Sequence, residues 1–299
     1  MASGNMKEIK RRIKSVESTK QITNAMQLVA SSKLRKAKNK ADKARPFFNA
    51  LYDTMHLIQS EDENFFSEFI SKRKEVKTIV LIVISGDRGL AGGFNSNIFK
   101  LAQARIDELK ELGAAVKIVA MGKKSVEYFS KRGYDLVSSH TVVGESLSLE
   151  QSAEIAESLV TSYVSAEIDG IEVFYTMYVS PIAQQPERKA ILPLEFSEKS
   201  EDTDTANTEG QRKYKIMPIY EPSAKEVFEG IVPKYLTGVI YCAVADSFAA
   251  EQAARRMAME NATDNADEMI SELSLRYNRA RQASITQEIN EIVGGAAGL

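Results

Sequence analysis

Residues 9–58 read IKRRIKSVESTKQITNAMQLVASSKLRKAKNKADKARPFFNALYDTMHLI. Taken at alternating steps of four and three, the stretch picks out Ile9, Ile13, Val16, Lys20, Thr23, Gln27, Ala30, Leu34, Ala37, Ala41, Ala44, Phe48, Leu51, Met55 and Ile58, twelve of them apolar. A stripe sustained at this step is the seam of a helix that faces another helix. No glycine interrupts it and Pro46 is its one proline. Proline inside a helix costs about 3 kcal/mol, so a kink is expected near residues 42–46. The four alanines let a partner helix approach closely. At 1.5 Å per residue the helix would run about 75 Å, too long for a chain of 299 residues to enclose on all sides.

The C-terminal part offers the mate. Leu236, Ile240, Ala243, Ser247, Ala250, Ala254 and Met257 keep the same spacing; the register stumbles through residues 261–267 and resumes at Ile270, Leu273, Tyr277, Ala280 and Ser284. A break of this kind changes the supercoil locally without ending the helix. The simplest pairing is an intramolecular antiparallel coiled coil. Two helices of an ordinary bundle are the plainer alternative, but no third or fourth long amphipathic helix exists to complete one.

Between the ends the pattern changes. Thr78-Ile-Val-Leu-Ile-Val-Ile84 is a short β-branched run, as in a strand covered on both faces. Helices are predicted over residues 96–112, 123–132 and 149–166, and strands over 116–120, 171–179 and 189–196, the last two joined across Pro181 to Pro186. Such alternation predicts an α/β domain with a mostly parallel, Rossmann-like sheet. Residues 197–213 are acidic, lack apolar anchors and are read as a disordered loop. The expected fold class is therefore α/β: a coiled-coil helix over 1–58, an inserted globular domain over 76–215, and a returning helix over 223–299.

Charge is distributed unevenly. The chain carries 39 Lys+Arg against 41 Asp+Glu, yet residues 1–45 hold 13 basic and three acidic side chains, a net +10 that leaves −12 for the rest. A basic arm on an acidic protein implies a negatively charged partner. No apolar run approaches the ~20 residues that span a bilayer, and the first residues lack the apolar core of a signal peptide. With one cysteine, Cys242, there is no disulfide framework or cysteine-based metal site. These features predict a soluble chain kept in a reducing compartment.

Chemistry-bearing patterns are few. Gly86-Asp-Arg-Gly-Leu-Ala-Gly-Gly-Phe-Asn95 resembles a phosphate cradle, but its glycines do not fall as G-x-G-x-x-G, and Gly122-Lys-Lys-Ser125 has Lys at position 117, where a Walker loop needs glycine. A tight strand-to-helix turn is the favoured reading. His56 and His140 have no partners at ligand spacing, and Cys242, in an apolar helical stretch, reads as core. No catalytic, cofactor-binding or metal residues are nominated. Residues 33–43 could be a DNA-reading helix, but their partner seam is supplied in cis and stacking aromatics are absent. An acidic protein partner fits the basic helix best.

Several stretches together carry a family resemblance. KEIKRRIKSVESTKQITNAMQLVASSKLR (residues 7–35) resembles the opening helix of γ subunits of F-type ATP synthases, and ARQASITQEINEIVGGAA (residues 280–297) is similar to that family's signature, with Ile285, Thr286, Glu288, Glu291, Gly295 and Ala296 at its spacing. Glu251-Gln-Ala-Ala-Arg-Arg-Met257, Ala262-Thr-Asp-Asn265 and Asp87-Arg-Gly-Leu-Ala-Gly-Gly93 match as well. The form is bacterial-like: the cysteine-bearing redox insert of the photosynthetic branch is missing, so thiol regulation is not implied.

The resemblance implies a non-catalytic rotating central stalk without cofactors, one copy per complex. Its partners would be three α and three β subunits, an ε subunit and the membrane c-subunit ring, with no nucleic acid and no direct membrane insertion. It would couple proton flow to ATP synthesis on the β subunits and regulate ATPase activity, peripherally on the cytoplasmic side of the cell membrane. It further implies torque or bearing contacts with α and β at Met26, Lys33, Arg35, Lys36, Arg255, Gln282, Thr286 and Glu288, a greasy collar around Ile289, Ile292, Val293 and Leu299, and rotor-ring contacts at Tyr220 and Glu221. A Rossmann-like nucleotide enzyme and a basic coiled-coil nucleic-acid binder are the readings from other classes.

Overall fold

The computed structural model describes residues 2–62, 65–71, 73, 75–196 and 218–297. The acidic loop read over 197–213 and the terminal Leu299 lie outside the described residues. In chain order the elements are α1 (Ala2–Glu61), β1 (Thr78–Ile84), α2 (Phe94–Glu111), β2 (Ala115–Met121), α3 (Lys123–Ser130), β3 (Asp135–His140), α4 (Val143–Ser146), α5 (Leu149–Val164), β4 (Gly170–Tyr178), β5 (Gln184–Leu192) and α6 (Ala224–Ala297). They form two compact units. One holds Arg35–Gly89 and Gly93–Glu251; the other holds the chain up to Leu34, Leu90–Gly92 and the chain from Gln252.

The larger unit is built on a five-stranded sheet of order β3-β2-β1-β4-β5, parallel except for β5, which returns antiparallel along β4. β1 sits at the centre, and its alternating side chains serve two cores. Ile79, Leu81 and Val83 pack with Ile98, Phe99 and Ile106 of α2 and Phe129 of α3. Val80, Ile82 and Ile84 face α5 and the helical residues Met55, Phe228 and Ile240. β5 spans residues 184–192, earlier than the expected 189–196; as an edge strand it accommodates Pro186. β3 escaped the sequence reading because Asp-Leu-Val-Ser-Ser-His alternates half-buried and exposed residues and offers little apolar signal.

Within this unit α1 and α6 run antiparallel. Arg45 of α1 meets Asp246 of α6 at 2.8 Å, and the rings of Tyr52 and Tyr235 lie 5.8 Å apart. Gly238 makes the crossing possible: a Cβ there would stand 2.0 Å from the Phe48 ring. Pro46 does not end α1, which continues through it with the proline on an exposed face. α6 also contains a stretch apolar enough by length and composition to cross a membrane, but half of that stretch is buried inside the protein. Its apolarity is used in packing: Phe228, Val232, Leu236, Ile240 and Val244 are all buried.

The smaller unit is an antiparallel helix pair in its own right. Thr23 and Thr263 share a hydrogen bond of 2.7 Å, and Lys20 pairs with Asp267. Ala30, Met259, Ala266 and Ser284 are buried along the seam. α6 passes through the stumble at 261–267 without interruption because Thr263 and Ala266 restore the four-three step from Met259 to Ile270.

Candidate functional site: the glycine turn and the helix surfaces

At the end of β1, Gly86 donates its N–H to Asn95 Oδ1 at 2.9 Å and accepts from Lys124 N at 3.1 Å. A Cβ on Gly86 would lie 2.7 Å from Glu251 Oε1, so a carboxylate of α6 closes on the turn. The first turn of α3 is also engaged: Asp87 Oδ1 accepts from Lys123 N at 2.9 Å and from Val142 N at 2.8 Å. Gly122, at φ +93°, lets the Ser85 carbonyl approach to 2.1 Å of where its Cβ would stand. Ser85 Oγ meanwhile accepts from Ser125 N at 2.7 Å.

In an open α/β sheet, ligands enter where the strand order reverses, here between β1 and β4. That place is held by α6, whose Ser247 Oγ accepts from Thr176 N at 3.0 Å. The carboxylates of Asp87 and Glu251 stand against this turn, and a carboxylate disfavours an adjacent anion. The cradle seen in the sequence is a joint between a helix and a sheet.

The histidines are also structural. His140, whose Nε2 lies 3.1 Å from Ser138 Oγ, has its pKa lowered by burial. His56 packs against the rings of Tyr52 and Phe196. Among the described residues no group of three or more His, Cys, Asp or Glu is placed to hold a metal. Cys242, read as core, is half-buried; burial raises its pKa to about 11, so the thiol stays protonated.

The residues expected to meet partners do not form one cluster. In the smaller unit Met26 is half-buried and Arg255 is buried, whereas Gln282, Thr286 and Glu288 are exposed on the last turns of α6. The pairing of Thr23 with Thr263 sets position 26 opposite a residue near 260. Gln282 therefore lies about 33 Å further along the helix at 1.5 Å per residue, so Met26 and the end of α6 are separate places on the helix pair. Those end residues bond among themselves, Thr286 Oγ1 to the Gln282 carbonyl at 2.9 Å and Ser284 Oγ to Glu288 at 3.4 Å. Ile289, Ile292 and Val293 are exposed beside them.

The same register leaves the end of α6 beyond the reach of α1, so its apolar side chains have no helix to cover them. Sequence reasoning missed a second apolar group around Met26: Ile22, Leu28 and Val29 are 58, 67 and 54% exposed. The signal was available as apolar residues lying off the seam of a basic helix. In the larger unit Arg35, Lys36 and Glu221 are exposed. Tyr220 is half-buried and donates to Glu61 Oε2 at 3.4 Å.

Comparison with known proteins covers the same span. A protein-family model described as ATP synthase matches residues 5–299. The ATP synthase gamma chain of Ruminococcus albus is 50% identical over 96% of both chains, and that of Alkaliphilus metalliredigens is 44% identical over 98% of both. The chain belongs to the ATP synthase gamma chain family. Membership makes it a subunit of a membrane-associated ATP synthase that is not catalytic by itself.

The fold agrees with that of a chain in the mitochondrial ATP synthase of Euglena gracilis, with a TM-score of 0.64 at 17% identity over 99% of this chain and 95% of the other. A chain of the central stalk and c-ring structure from Tetrahymena thermophila gives a TM-score of 0.58 at 20% identity, over 81% and 99%. For a gamma chain, the filled glycine turn has a ready explanation. The Rossmann-like sheet packs against α6, with Ser247 bonded to Thr176 of β4.

Proposed function

We propose that this chain is the turning shaft of an F-type ATP synthase on the cytoplasmic side of the cell membrane. In this reading one copy stands within three α and three β subunits, binds ε, and is driven by the c-subunit ring as protons flow. The coupling runs through partner contacts at Met26, Lys33, Arg35, Lys36, Arg255, Gln282, Thr286 and Glu288, and through ring contacts at Tyr220 and Glu221. Segments 1–58 and 223–299 supply the shaft and 76–215 the platform.

The observation that carries the reading is the full-length similarity to gamma chains. The helix surfaces supply its physics. Exposed Ile22, Leu28 and Val29 sit on a helix whose first 45 residues carry a net +10, a surface suited to sliding past acidic protein with few directional bonds. A shaft of this kind favours different β-site affinities as it turns, because each orientation offers each β subunit a different set of contacts. Inhibition of ATPase activity follows from the same coupling when a bound ε stops the shaft.

Co-expression with the α, β and ε subunits of the same source tests the proposal. Recovery of one complex with a single copy of this chain, and ATP-driven proton pumping by membranes carrying it, are expected. Full ATP-driven pumping by a complex that lacks the chain would overturn it.

A further inference from the structure

In the larger unit a groove of about 650 Å³ opens between α1, α6 and the outer edge of β5. Tyr52, Tyr235, Val239, Ile191 and Leu194 supply apolar lining, and the Phe48 ring packs directly on the backbone at Gly238. Most charges around it are satisfied. Arg45 holds Asp246 with two hydrogen bonds of 2.8 and 3.0 Å, Arg188 meets Glu172 at 3.0 Å, and the Tyr175 hydroxyl donates to Glu187 at 2.9 Å.

Two donors are left over. Among the described residues, Lys189 Nζ and the Tyr235 hydroxyl have neither an ion pair nor a hydrogen bond; the ammonium stands 5.9 Å from the centre of the Tyr235 ring. Lys189 is an exposed residue on the rim of the groove; desolvation there pulls its pKa down against the opposing pull of Cys242 and Glu187. Tyr235 is pushed up to about 12 by burial and then by Tyr52, which keeps the phenol a donor.

Pockets of roughly 300–1,000 Å³ with mainly apolar walls and a few converging polar groups are the usual form of small-molecule sites. A cationic donor beside a neutral donor calls for an acceptor of a single negative charge. A dianion would outweigh one ammonium, and a cation would meet Lys189. We propose that the groove binds a small monoanionic amphiphile, a carboxylate on an aliphatic or aryl body. The headgroup lies between Lys189 Nζ and the Tyr235 hydroxyl, and the body lies along Tyr52, Val239 and Leu194. A charge-assisted hydrogen bond from Lys189 fixes the headgroup, and burial of the chain supplies most of the affinity.

Calorimetric titration of the purified full-length chain with sodium decanoate tests this. One saturable site is expected, with decanol and decyltrimethylammonium at least tenfold weaker. Lys189→Met should weaken decanoate at least tenfold and Tyr235→Phe several-fold, while Lys100→Met, on exposed α2 surface, should leave binding unchanged. A measurement on the unaltered chain stands beside the variants: decanoate should slow reductive methylation of Lys189, followed by mass spectrometry, and leave Lys100 unaffected. The proposal fails if no saturable binding is seen, if decanol binds as tightly as decanoate, if Lys189→Met binds as the parent does, or if methylation of Lys189 is not protected.

Discussion

At the scale of single residues, the contact between Gly86 and Glu251 decides what the first strand's turn can do. A methyl group on residue 86 would meet the Glu251 carboxylate at 2.7 Å. Gly86→Ala should therefore destabilise the protein by about 1–3 kcal/mol in urea unfolding, the usual range for overpacking. In the Gly86→Ala/Glu251→Ala double variant the loss should be smaller than the sum of the singles, since the clash is gone; strict additivity would show that the two groups do not touch. Asp169 gives a pH test. Burial alone would raise its pKa, but the amides of Thr78 and Lys77 and the Arg73 guanidinium outweigh it and hold the carboxyl below its usual range. A depressed folded pKa means that the stabilisation is present above the unfolded value near 3.9 and is lost as pH falls through the folded value. Asp169→Asn should thus cost about 1–3 kcal/mol at pH 7, and the deficit should shrink in acid; a deficit constant from pH 7 to pH 2 would contradict the assignment. For the shaft, Met26→Lys adds an ammonium beside exposed Ile22 and Val29. Against an acidic partner it would gain about 1.5–3 kcal/mol in one rotational state, giving a complex that hydrolyses ATP but pumps protons poorly. Equal pumping by variant and parent vesicles at matched assembly would remove Met26 from the bearing.

At the scale of elements, the two long helices differ in how they are held. In the smaller unit the pair is narrow, and Thr23 with Thr263 forms a polar layer in which each hydroxyl also donates to, or lies against, a carbonyl one turn back, at 3.0 and 2.8 Å. Replacing one threonine by valine removes the bond between the helices while the remaining hydroxyl keeps its own carbonyl, so each single variant should cost at most about 1 kcal/mol, and valine at both should be neutral or stabilising. Thermal unfolding of the three variants reads this directly, and a double variant less stable than either single would refute it. In the larger unit α6 is buried on nearly every side from Ala243 to Glu251, with α1 on one flank and the sheet on the other. This explains why its heptad spacing was legible but its second buried face was not. A period of seven reports one neighbour, and this segment has two.

At the scale of the whole molecule, the distribution of carboxylates determines which chemistry the chain can enter. Asp87 caps the first turn of α3 and Glu251 closes on the turn after β1, so each of the two glycine turns singled out in the sequence has a carboxylate against it. The purified chain should therefore show no micromolar binding of ATP in equilibrium dialysis; saturable micromolar binding would mean that α6 can leave the turn. The fold class, the helix seams, the central strand and the family were legible from residues close together in sequence. Heptad spacing, a β-branched run and signature motifs are local patterns, and local patterns survive without coordinates.

What only the tertiary structure decided arises between residues far apart in the chain. Gly86 looks like a phosphate turn until Glu251 is brought against it. β3 carries almost no apolar signal and exists because β2 offers it a pairing edge. Lys189 is one of many lysines until the fold sets it on the rim of the groove, where Arg45 pairs with Asp246 and Arg188 with Glu172 while its own ammonium makes no ion pair among the described residues. Sequence determines periodicity and residue type, and these set which surfaces must be buried. Which particular groups meet is set by close packing of those surfaces, a property of the folded chain as a whole.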